Sequence, residues 1–214
     1  MDLIKAIKTR RSVRSFLDKK IPKDELNKII ESANWAPSAC NIQGWRFIVL
    51  DNQEIINKII EMDAAYLLNK PHTGILVLYD NRTDNLEYKD NIQSAAAAIQ
   101  NMLLTAHSLN IGSCWVCHLP TKKQLRKLLK IPRNYDPIAY ISLGYYTEKP
   151  KELSRKHKIE QLVSYNHFNF NEQTPSTLSL RLRSKRFLRK IYYLFPTAIK
   201  KILKPITKKI EKKF

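Results

Sequence analysis

The sequence predicts an α+β fold with one long apolar helix at a subunit interface. Two observations carry that expectation. Short apolar runs of strand length alternate with segments whose apolar residues recur at helical spacing. Residues 91–121 hold no Asp, Glu, Lys or Arg, so a helix there is too apolar for a surface layer and belongs inside the protein or an oligomer.

The elements follow in chain order. Asp2 can cap a short helix that carries Leu3, Ile4 and Ile7 on one face and runs into the basic stretch TRRSVRSF, Thr9 to Phe16. Pro22 opens a second helix, with Leu26, Ile29, Ile30 and Ala33 at helical spacing, and Pro37 stops it. Trp45 to Leu50 reads as a strand, and Gln53 to Met62 as a helix with Ile55, Ile56, Ile59 and Ile60 inward. Ile75 to Tyr79 is a second, buried strand. Asp90 to Leu109 is the long neutral helix, in which Ala95 to Ala98 permit close helix contact. Ser113 to Cys117 is a third strand, Lys122 to Leu129 a helix capped by Thr121, and Ile138 to Tyr145 a fourth strand. A membrane span over 91–121 is rejected, because Asn91, Gln93, Gln100, Asn101, His107 and Asn110 stud the run and Gly112 interrupts it.

The 214 residues suit one domain with an appendage, and 43% apolar residues supply a core. We expect a body over residues 1–170 and a basic amphipathic tail over 171–214. The net charge of +19 is unevenly spread: residues 175–214 hold 13 Lys and Arg against Glu211 alone. Cys40, Cys114 and Cys117 do not make a disulfide framework, and the opening residues lack the apolar stretch of a signal peptide. A reducing, cytoplasmic setting is the expectation.

Only Gly44, Gly74, Gly112 and Gly144 are available, and none are close enough for a glycine-rich phosphate turn. A phosphorylated cofactor would therefore be held by side-chain cations, and arginine forks suit phosphate. Arg10, Arg11 and Arg14 around Ser12 are the candidates, and their equipment matches a single phosphate, as in FMN, better than a pyrophosphate. The competing reading is a solvated basic turn, which charge clusters usually are.

Four stretches, RRSVRSF, WAPSACNIQGWRFIV (Trp35 to Val49), DNIQSAAAAIQNMLLTAHSLNIGSCWV (Asp90 to Val116) and ISLGYYTEKP (Ile141 to Pro150), occur in the order and spacing of one family. Over residues 1–168 the chain resembles the nitroreductase-like flavoproteins. Gly44 departs from the pattern, which often has proline there. The resemblance implies a nitroreductase-like fold, with a central mixed or antiparallel sheet flanked by helices, and a homodimer that has the long apolar helix and two FMN molecules at its interface. It implies that Arg10, Arg11, Ser12 and Arg14 grip the phosphate and the N1–C2 carbonyl edge of the flavin. Pro37 and Ser38 would approach from the partner subunit, with Asn41 and Gln43 nearby. Backbone groups of Val116, Cys117, His118 and Leu119 would meet the ring and its N5, and Lys156, or Arg155 if the loop slips by one, would return a cation to the phosphate. By the same likeness, NADH or NADPH is the donor and a nitroaromatic, quinone or enone the acceptor, in ping-pong order without a side-chain acid. Arg14 is the cation nearest N1 in this reading. The alternatives are a flavin dehydrogenase of a biosynthetic intermediate, and a basic membrane- or nucleic-acid-binding protein with an inactive flavin fold.

Other motifs weigh less. CWVCH, Cys114 to His118, matches a haem-attachment pattern, but nothing points to export, and a strand sends residues three apart to opposite faces. Zinc on Cys114, Cys117 and His118 would be cramped, and His72, His107, His157 and His167 show no metal spacing. Tyr66 and Tyr88 suit packing or a lid equally, and Trp45, between Gln43 and Arg46, is most simply core. In the tail, Leu180, Phe187, Leu188, Ile191 and Phe195 form one helical stripe, and Ile199, Ile202, Leu203, Ile206 and Ile210 a second. Peripheral contact with an anionic membrane is one expectation, since each basic residue near such a surface contributes about 1 kcal/mol. Nucleic acid is less favoured. A tail packed on the body or partly disordered is the alternative to both.

Overall fold

The computed structural model describes residues 1–62, 73–82, 85, 87–116, 118–148, 150–152 and 154–170, and in the tail 180, 183–184, 187–188, 191 and 195. The chain forms two compact units, Met1–Leu153 and Ser154–Phe214.

In the first unit the helices are α1 (Leu3–Thr9), α2 (Lys23–Asn34), α3 (Gln53–Glu61), α4 (Asp90–Ser108) and α5 (Lys122–Leu129). The strands are β1 (Trp45–Leu50), β2 (Thr73–Asp80), β3 (Gly112–Val116) and β4 (Tyr135–Gly144). They form one antiparallel sheet in the order β1-β2-β4-β3. The fold is α+β, as the alternation of apolar patterns predicts.

Side chains cap the starts of α1, α3 and α5. The Asp2 carboxylate accepts from the Lys5 amide at 3.0 Å, and Asn52 caps α3 through the amides of Glu54 and Ile55. At α5, Thr121 and Gln124 complete a capping box.

Helices cover both faces of the sheet. On one, Ile29 and Ala33 of α2 and Ala95, Ala98, Ile99 and Met102 of α4 pack on Ile75, Val77, Ala139 and Ile141. On the other, Ile56 and Ile59 of α3 and Leu125 of α5 pack on Leu76, Leu78, Val116 and Tyr140. β2 is buried along its whole length, which explains its unbroken apolar run. Asp136 ties α5 to β4 by accepting from Asn81 Nδ2 at 3.0 Å and pairing with Lys122 and Arg126.

Two elements differ from expectation in a telling way. β4 begins at Tyr135, before Pro137; a register shift between Val77 and Leu78 lies opposite, where Leu78 faces Pro137. Leu3, Ile4 and Ile7 share a face of α1, but it is turned to solvent, at 62%, 56% and 47% exposure, and only Ala6 of that helix is buried. α4 is likewise buried along one side, from Ser94 to Ala106, while Ile92, Gln93 and Gln100 stay exposed.

Candidate functional site

The basic stretch leaves the end of α1 and runs extended along the outer edge of β3. Ser12 forms a parallel bridge with Ser113, the Val13 amide donates to the Ser113 carbonyl at 2.9 Å, and the Leu17 amide donates to Tyr145 at 2.8 Å. Gly112 and Gly144 stand opposite each other across β3 and β4 and make this approach feasible. A Cβ on Gly112 would lie 2.9 Å from Val13 Cβ, and one on Gly144 2.7 Å from Phe16 Cδ1. The two missing side chains leave the space in which Val13 and Phe16 sit, with Val13 buried.

The arginines are thereby fixed on a backbone held at both ends. Arg11 donates through Nη1 to the carbonyls of Lys8 (2.6 Å) and Arg10 (2.8 Å), and its Nη2 stands 3.6 Å from the Glu152 carboxylate. Its Nε is buried without a hydrogen-bond partner. Arg10 and Ser12 are half-buried. Arg14 is exposed and makes no hydrogen bond or ion pair among the described residues. His107, in the last turn of α4, meets the Thr9 hydroxyl through Nε2 at 2.8 Å. Burial, and then the positive charges of Arg10 and Arg11, hold its pKa below the ordinary value of 6.5. Sequence reasoning missed His107, Glu152 and the glycine pair as parts of this site. Only long-range pairing brings them to the arginines, and no local pattern signals it.

The second half of the predicted site lies elsewhere. Pro37 is exposed, and Ser38 Oγ accepts from the Gln43 amide at 3.0 Å. Asn41 Oδ1 accepts from Gln43 Nε2 at 2.7 Å, and the Ala39 amide donates to Ser94 Oγ at 3.1 Å. Cys40, Asn41 and Gln43 all adopt left-handed backbone, with φ of 49°, 55° and 50°. Such a run of non-glycine residues stores strain of the kind found at ligand-binding loops. Gly44 itself has ordinary φ; it is required because a Cβ there would meet the Tyr79 ring at 2.8 Å. Two hollows of about 550 and 520 Å³ flank this loop, one lined by Asn34, Gln43, Trp45 and Arg46, the other by Cys40, Ile42, Asp80 and Arg82.

In one chain the two halves stand apart. Ser94, which holds the loop, and His107, which meets the arginine end, are thirteen residues apart on α4, about 20 Å at 1.5 Å per residue. The sheet agrees, because the loop leads into β1 at one edge and the arginines flank β3 at the other. Val116 is buried at the far end of β3, about 10 Å along the strand from Ser113, and His118 is exposed. Cys117 and Tyr66 lie outside the described residues. Arg155 and Lys156 are exposed and belong to the second unit. Among the described residues, no three His, Cys, Asp or Glu side chains come together as a metal site, and no helix is long and apolar enough to cross a membrane.

Comparison with known proteins points one way. The nitroreductase family model matches residues 7–74 and 64–145. A Methanothermobacter thermautotrophicus relative, named a candidate NADH dehydrogenase/NAD(P)H nitroreductase, is 36% identical over 155 residues, covering 70% of this chain and 80% of its own. The solved FMN-dependent nitroreductase of Clostridium difficile R20291 superposes with a TM-score of 0.66 at 29% identity, over 78% of this chain and 100% of its own. A candidate nitroreductase of Desulfovibrio desulfuricans, solved in complex with FMN, gives a TM-score of 0.66 at 27% identity, over 78% of this chain and 97% of its own.

Proposed function

The chain belongs to the nitroreductase family, and from that membership we propose that it is an FMN-dependent oxidoreductase that draws on NADH or NADPH and reduces a small organic acceptor of nitroaromatic, quinone or enone type. The observation that carries this reading is the arginine stretch, fixed by backbone hydrogen bonds beside β3 within the span of the family match. Bound FMN would supply two-electron redox chemistry between a nicotinamide donor and the acceptor, the two taking turns at one place.

The residues fit one phosphate. A guanidinium Nε of Arg11 is buried without a partner, Arg10 and Ser12 are only half-buried, and Arg14 projects unpaired among the described residues. In this proposal Arg10, Arg11 and Ser12 hold the phosphate. Arg14 sets a cation at the N1–C2 edge, where it stabilises negative charge in the reduced cofactor. Backbone groups near Val116, Cys117 and His118 support the N5 side. Pro37, Ser38, Asn41 and Gln43 enclose the ring from a second copy of the chain. The 20 Å separation within one chain supports that division of labour, as does the uncovered apolar face of α1. The cytoplasmic setting, which rests on cysteine usage, completes the proposal.

Purified full-length protein is expected to be yellow, to release FMN on denaturation and to bleach with NADH or NADPH. Arg14→Ala should lower both flavin occupancy and reduction potential; if neither moves, Arg14 is not the cation at N1. Colourless protein that takes up no added FMN would overturn the whole reading.

A further inference from the structure

The family match ends at residue 145, and solved relatives matched over almost their full length leave part of this chain unmatched. The tail therefore calls for its own explanation. Leu180, Arg183, Ser184, Phe187, Leu188 and Ile191 are all helical. Leu180, Phe187, Leu188 and Phe195 are 73%, 64%, 62% and 37% exposed. At 100° per residue, the helical Leu180, Ser184, Phe187, Leu188 and Ile191 fall within an arc of about 100°, the width of one apolar stripe. The sequence puts Arg181, Arg183, Lys185, Arg186, Arg189 and Lys190 at the intervening positions and no acidic residue among them.

We propose that the exposed Leu180, Phe187, Leu188 and Phe195 form a docking surface for an anionic lipid bilayer, their side chains inserting at its interface while the positive charge of the tail sequence meets the headgroups. Charge complementarity names the occupant: 13 Lys and Arg against one Glu over residues 175–214 demand an anionic surface. The stripe then selects lipid over nucleic acid. Leu180, Leu188 and Ile191 gain by entering hydrocarbon and gain nothing from a phosphate backbone. Basic residues recur too often along 180–195 for a membrane span, so the contact proposed is peripheral.

The test uses the full chain. It should co-sediment roughly tenfold more strongly with vesicles of phosphatidylcholine and phosphatidylglycerol than with phosphatidylcholine alone, and high salt should weaken the binding. Replacing the exposed apolar residues together (Leu180→Ser, Phe187→Ser, Leu188→Ser, Phe195→Ser) keeps every charge. It should abolish the preference without changing the thermal melt. A separate Phe187→Trp variant should give a blue-shifted emission increment over the parent chain with anionic vesicles. Failure of the parent chain to bind anionic vesicles, or undiminished binding by the serine variant, overturns the proposal. So does tight binding to a DNA or RNA oligonucleotide without vesicle binding, which would assign the tail to nucleic acid.

Discussion

His107 touches no proposed ligand, yet its titration reports on the neighbouring arginines. Burial disfavours its imidazolium, and Arg10 and Arg11 add repulsion, so its folded pKa lies below the ordinary value. The unfolded chain therefore takes up this proton first, and the histidine costs stability as pH falls through 6.5 and below. A phosphate held by Arg10 and Arg11 would bring negative charge to that corner and oppose their field. The His107 titration, followed by NMR of its ring carbon, should then move up when FMN or inorganic phosphate is added. A titration that stays put while FMN binds would detach this arginine pair from the phosphate. The readout depends on charge alone, so it tests the assignment independently of turnover.

At the scale of elements, the glycine pair decides whether the arginine strand can lie against the sheet. Gly112→Ala brings a methyl to 2.9 Å from Val13 Cβ, an atom fixed to backbone, whereas at Gly144 the corresponding Phe16 Cβ lies at 3.1 Å and the closest atom belongs to the ring. Overpacking of the first kind costs about 1–3 kcal/mol. FMN affinity, measured by fluorescence titration, should fall roughly tenfold or more in Gly112→Ala and less in Gly144→Ala. Equal losses would mean that the strand is not positioned by this contact. Nothing in the sequence announced the notch, because Ser12 and Ser113 meet only through tertiary pairing. Periodicity did reveal β1, β2 and the five helices, since alternation and helical spacing are local properties of a chain that buries one or both faces. It revealed the shared face of α1 as well, but spacing tells which residues face together and never what covers them. The start of β4 escaped because Pro137 reads as a strand breaker until the irregularity opposite it is seen. The candidate cations were legible as a cluster of charge. The left-handed backbone at Cys40, Asn41 and Gln43 was not, because none of these residue types demands it.

The whole molecule raises the question of what covers α1. Leu3, Ile4 and Ile7 stand in solvent in the single chain, and Trp35 (80% exposed), Ile42 and Ile92 add further uncovered apolar surface. Apolar exposure on this scale marks a binding face more readily than an ordinary surface. If a second copy covers α1 and also supplies the loop from Pro37 to Gln43, association and cofactor binding are one event. Ile4→Glu combined with Ile7→Glu separates them experimentally. Both positions are exposed in one chain, so the charges themselves should cost the isolated chain little, within about 0.5 kcal/mol per site, and a larger fall in melting reports lost association and cofactor. In a dimer the same carboxylates would be buried without partners, which is far more costly. Light scattering should therefore show the parent chain as a dimer and the double variant as a monomer, and the monomer should lose FMN. A double variant that stays dimeric with its flavin removes α1 from the interface. A monomer that keeps FMN tightly would show that one chain closes the 20 Å between its two half-sites unaided.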